Sequence, residues 1–118
     1  MALATVLLNY AIAVTRLHTK LSDAEEPVGQ IITCADLLLL SATDAECVFR
    51  CLCAVGTLLE PPASLAGAAV IGKHAATFVR SCELPTFLNK LLTNQAGIGE
   101  TPPKVTEAAH LVDRLLLN

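Results

Sequence analysis

Apolar residues fill two stretches so completely that neither leaves a polar face: Leu3-Ala4-Thr5-Val6-Leu7-Leu8-Asn9-Tyr10-Ala11 and Cys51-Leu52-Cys53-Ala54-Val55-Gly56-Thr57-Leu58-Leu59. Helices of this kind are buried on most sides. Each carries a small polar residue at the same point, Asn9 and Thr57, 48 positions apart. Two- and three-helix solenoid repeats have periods of roughly 40 to 47 residues, so the pattern predicts stacked helices with a polar position repeated along one face.

The rest of the chain reads as further helices. The first is predicted over about 2–19, ending at the turn and capping residues Ser22 to Pro27. A second, about 27–41, opens on Pro27 and sets Ile31, Cys34, Ala35 and Leu38 on one face. The third starts at Thr43-Asp44-Ala45-Glu46, a capping box, and runs to about Glu60, where Pro61-Pro62 stops it. Shorter helices follow at about 62–70, 73–82 and 85–94, with Gly72 read as a helix stop. A loop from Asn94 to Thr101 leads to a last helix that opens at Pro102-Pro103 and ends near Leu117. Its stripe is Val105, Ala108, Ala109, Val112, Leu115 and Leu116.

Composition agrees with an all-α domain: 118 residues with 53% apolar and only 3% aromatic, and no run alternates like a strand. The net charge of −3 has no basic stripe, so nucleic acid is not an expected partner. Five cysteines inside apolar helices read as buried free thiols of a cytoplasmic or nuclear protein. The apolar N-terminus lacks a preceding basic residue and is followed by Arg16, unlike a signal peptide. No apolar run approaches the roughly 20 residues that span a bilayer.

Candidate chemistry is sparse. Gly67 to His74 has the glycine and lysine spacing of a phosphate loop, but His74 replaces the magnesium-binding hydroxyl and no strand precedes it. Cys47, Cys51 and Cys53 lack the second ligand pair of a zinc site, and no His is tied to a Cys as thiol catalysis requires. No cofactor, metal or catalytic residue is therefore expected. Arg50 stands out: it lies beside Phe49 in an apolar segment with Glu46 one turn earlier. That spacing allows a plain surface pair worth a few tenths of a kcal/mol; the alternative is a guanidinium fork at the mouth of a carboxylate-binding groove.

Ala2-Leu3-Ala4-Thr5, Leu8-Asn9-Tyr10, and then Phe49-Arg50 with Leu52, Ala54, Gly56, Thr57 and Leu58 resemble the C-terminal part of a PUL domain, as in phospholipase A2-activating protein and its yeast counterparts. The resemblance covers residues 2 to about 72, and more loosely the last helix. It implies an armadillo-like helical superhelix, present as a partial array over 1–118 with an extended segment at 73–103 in which Phe78, Phe87 and Leu88 add a layer. It also implies a non-enzymatic, peptide-binding adaptor in ubiquitin-dependent protein handling, taking the acidic C-terminal tail of the valosin-containing AAA+ ATPase. The implied groove residues are Asn9, Tyr10, Arg50 and Thr57. Because stacked repeats need about three units to bury their faces, the expectation extends to a fragment, a short homologue or a chain that self-associates through the apolar first helix. Two alternative readings are a structural or dimerising helical module, and a non-catalytic part of a thiol-peptidase or thioredoxin-like fusion protein.

Overall fold

A computed structural model describes residues 2–17, 21–41, 44–60, 68–93 and 102–117. They form six helices: α1 (Ala2–Leu17), α2 (Leu21–Ser41), α3 (Ala45–Leu59), α4 (Ala68–Arg80), α5 (Leu84–Leu92) and α6 (Pro103–Leu117). The described residues include no strand, as the periodicity predicts.

Helix α3 is the axis of the stack. Val48, Cys51, Leu52, Ala54, Val55, Leu58 and Leu59 are buried, covering more than half its circumference, and it packs against α1, α2, α4 and α6. Its most extensive neighbours are α1 and α6. Full burial of a side chain such as Leu52 or Leu58 contributes about 1.5–3 kcal/mol, so this helix anchors the core. Around it lie Ala4, Leu7, Ala11 and Val14 of α1, Val28, Ile31, Ile32 and Ala35 of α2, and Val105, Ala109 and Val112 of α6.

The helix boundaries differ from the sequence reading in three places. α2 does not begin at Pro27 but at Leu21, with Pro27 inside it. Proline forgoes one backbone bond there.

The start of α3 is the second difference. Its N-cap is Asp44, whose carboxylate accepts from the Glu46 amide at 3.0 Å. Thr43 lies outside the described residues, and the Glu46 carboxylate is engaged elsewhere. An ionised Asp is among the strongest N-cap acceptors, so the helix begins one residue later than the capping box implied. At its other end, the Glu60 amide donates to the Gly56 carbonyl at 3.0 Å.

Third, Gly72 is not a stop: it is buried within α4, which runs unbroken through Gly72-Lys73-His74. The roughly 1 kcal/mol cost of an interior glycine is outweighed by burial of Ile71, Ala75, Ala76 and Val79. Residues 68–74 of the phosphate-loop spacing are thus helical, and Gly67 lies outside the described residues. The helix expected over 62–70 lies mostly outside the described residues.

Helices α4 and α5 form a further layer. Leu84, Leu88 and Leu91 are buried, Phe78 and Phe87 pack partly buried on the core, and the layer contacts α2 and α6. Gly29 permits this close approach, since a Cβ there would stand 3.1 Å from Phe78 Cε2. The Arg80 Nε donates to the Leu116 carbonyl at 3.2 Å, satisfying one of the open carbonyls at the end of α6.

Candidate functional site

The one face of α3 that is not fully covered carries Glu46, Phe49, Arg50, Cys53, Gly56 and Thr57, all half-buried. On one side it is bordered by α1, where Thr5 Oγ1 accepts a hydrogen bond from the Arg50 guanidinium. On the other it is bordered by α6, where Lys104 donates to the Glu46 carboxylate. The Lys104 ammonium also stands 4.8 Å above the centre of the Phe49 ring, a cation–π distance. Further along, Gly56 lies beside Val112 of α6. Thr5, Arg50 and Lys104 all lie within the first two turns of their helices, so the N-terminal segments of three helices meet at this cluster.

Glu46 is the hub. One carboxylate oxygen accepts from Arg50 Nε at 3.3 Å and the other from Lys104. The Lys104 bond, followed by the Arg50 bond, holds the carboxyl below its ordinary value of 4.5 against the opposing pull of desolvation. Two cations thus share the Glu46 carboxylate, with the Asp44 carboxylate close by at the cap, and both cations are accessible: the side chains of Arg50 and Lys104 are 33% and 48% exposed.

The four residues singled out from sequence are not all on this face. Asn9 is exposed one turn beyond Thr5, on the same flank of α1 at the 3.6-residue spacing. Thr57 lies two turns beyond Arg50, and its hydroxyl donates to the Cys53 carbonyl at 2.8 Å, leaving its oxygen able to accept. Tyr10 falls on the other flank, with Leu3 and Val6, where it is 41% exposed. Arg50 and Thr57 therefore share the open face of α3, Asn9 stands exposed one turn from Thr5, and Tyr10 stands exposed near Leu3 and Val6.

Lys104 escaped the sequence reading, although a signal existed. A lysine directly after Pro102-Pro103 sits in the first turn of a helix, where its charge opposes the dipole, and such a placement calls for a compensating anion from elsewhere in the fold.

The thiols add no reactive group to the strip. All five cysteines are free. Burial, with Cys47 alongside, pushes the Cys51 thiol up to about 12, and burial together with the Glu46 charge raises that of Cys53. An open depression of about 430 Å³ lined by Glu26, Gly29, Gln30, Thr33, Cys34 and Phe78 lies between α2 and α4, sharing no residue with the Arg50 cluster.

The six described helices pack as an all-helical, armadillo-like stack. The chain belongs to the PUL domain family, whose model matches residues 1–107. The match runs through the α4–α5 layer and into α6. PUL domains are helical protein-interaction domains rather than a catalytic family. No curated protein and no solved structure matches the chain. Among the described residues, no helix is long and apolar enough to cross a membrane.

Proposed function

We propose that the strip bounded by α1, α3 and α6 binds the acidic C-terminal tail of the valosin-containing AAA+ ATPase, making the protein an adaptor in ubiquitin-dependent protein handling in the cytoplasm or nucleus. The observation that carries this reading is the convergence of Arg50 and Lys104 at three helix N-termini. An accessible ammonium and a guanidinium fork favour a peptide carboxylate. Asn9 offers an amide donor and acceptor for an extended backbone, and Thr57 offers an acceptor oxygen. The family's character as a protein-interaction domain agrees with a peptide ligand.

The test is a calorimetric titration of the tail peptide into wild type and Arg50→Ala. Loss of a charge-assisted hydrogen bond, worth about 1.5–3 kcal/mol, corresponds to roughly a tenfold or greater loss of affinity. Equal affinities would remove Arg50 from the site.

A second reading, self-association through α1, is favoured by the exposure of Leu3 (52%) and Val6 (59%) beside Tyr10. The two readings use opposite flanks of α1 and are compatible.

A further inference from the structure

Glu46 presents a difficulty for any acidic ligand. It already occupies both cations with one carboxylate, in the geometry a ligand carboxylate would adopt. An arriving carboxylate meets not a vacant guanidinium but one paired with Glu46 at 3.3 Å and bonded to Thr5. Without a compensating change, the ligand and Glu46 would bring two like charges to the same pair of donors.

On the reading that Arg50 binds an acidic peptide, we infer that Glu46 is a built-in competitor: it holds Arg50 and Lys104 together as a preassembled cation pair, and a peptide with two neighbouring carboxylates binds by taking both cations from it. A singly charged ligand only exchanges the one Glu46 carboxylate for another and gains no charge, whereas two neighbouring carboxylates give each cation an anion of its own. The device therefore selects doubly acidic segments over singly acidic ones.

Geometry supports the exchange. Glu46 is accessible, with 28% of its side chain exposed, so its carboxylate can turn to water without being stranded. It also sits in the first turn of α3, where the helix end continues to favour its charge after the cations have gone. Lys104 is held over Phe49, which keeps the ammonium at the strip when its bond to Glu46 is broken. An exposed pair of this kind is weak enough for exchange; its role is to set a threshold rather than to lock the fold. Asp44, exposed at the N-cap, adds a second negative charge nearby and strengthens the bias against weakly charged ligands.

The experiment titrates the acidic tail peptide, and a version with all but one of its acidic side chains converted to amides, into wild type, Glu46→Gln, Glu46→Ala, Lys104→Met and Arg50→Ala. Lys104→Met keeps an apolar stem over Phe49 while removing the charge. Both Glu46 variants are expected to bind the acidic tail about two- to fivefold more tightly than wild type, the factor set by release of an exposed ion pair. They are also expected to bind the singly charged peptide more tightly, narrowing the preference between the two peptides. Lys104→Met is expected to weaken the acidic tail and leave the singly charged peptide nearly unchanged. Equal or weaker binding by both Glu46 variants, or an unaltered acidic-tail affinity in Lys104→Met, would overturn the inference. If Arg50→Ala weakens binding while the Glu46 variants do not tighten it, only the competitor role fails. If Arg50→Ala binds as wild type, the site itself fails and the inference with it.

Discussion

The Glu46 carboxyl titrates below 4.5 because Lys104 and Arg50 both stabilise its anion, and that shift makes stability depend on pH. A carboxyl whose folded value is depressed contributes stability that is fully present above its unfolded value and disappears as pH falls through the folded one. The charges facing it are Arg50 on its own helix, Lys104 on α6 and Asp44 at the cap. Wild type should therefore lose urea-unfolding stability as pH drops from about 4.5 toward 3, and Glu46→Gln should lose less over that window. Parallel acid profiles for the two proteins would mean that the pairs contribute nothing to folding. The pair of Glu46 with Arg50 was legible in the sequence, because four-residue spacing makes neighbours on any helix. The bond from Lys104 was not, since 58 residues separate it from Glu46 and only packing of α6 on α3 brings them together.

At the scale of the element, α3 sets a central, mostly buried helix around an interior glycine. Gly56 is accessible, and a Cβ added there would meet only Val112 Cγ2 at 3.8 Å, ordinary contact, so the fold does not demand glycine at this point. Gly56→Ala is accordingly expected to stabilise the protein by about 0.5–1 kcal/mol, read as a raised urea midpoint with an unchanged slope. A lowered midpoint would show that α6 cannot accommodate even a methyl group. The existence of the helices was readable from apolar spacing and from Pro103, whereas several of their ends were not. Pro27 and Gly72 are both local helix breakers by propensity, yet each lies inside a helix. Propensity costs of one to three kcal/mol are smaller than the gain from packing a row of apolar side chains, and the sequence does not display that gain position by position. The choice of Asp44 over Thr43 as cap is the same kind of event. Once Glu46 is drawn to Lys104, the reciprocal half of the capping box is gone.

At the scale of the molecule, the described residues span 40 × 29 × 23 Å, with α3 inside and the outer surfaces unequal in character. α1 and α2 expose Leu3, Val6, Tyr10, Leu37 and Leu40, while α6 exposes Leu111 and Leu117 among the charged and polar positions Lys104, Glu107, His110 and Arg114. Helical arrays need polar outer faces at their ends to stay monomeric, and exposed apolar patches mark interfaces. Sedimentation of the wild-type chain is expected to show concentration-dependent association, reduced in Val6→Glu. A monomer at all concentrations would remove the self-association reading while leaving the Arg50 strip untouched, because Val6 and Arg50 lie on different sides of α1.

The amino-acid sequence alone determined the all-α class, the approximate number of helices, the PUL resemblance and the Glu46–Arg50 pair. Each rests on local spacing or on a short run of residue types, which survive without knowledge of neighbours. Tertiary structure decided which side of each helix is covered, and with it which candidates share a surface. It set Thr5 of α1 against Arg50 of α3 and left both Asn9 and Tyr10 exposed, about 100° apart on the helix. It also joined Lys104, Glu46, Arg50 and Thr5 from three helices into one charged cluster. No periodicity encodes that meeting, since it follows from how α1 and α6 pack on α3.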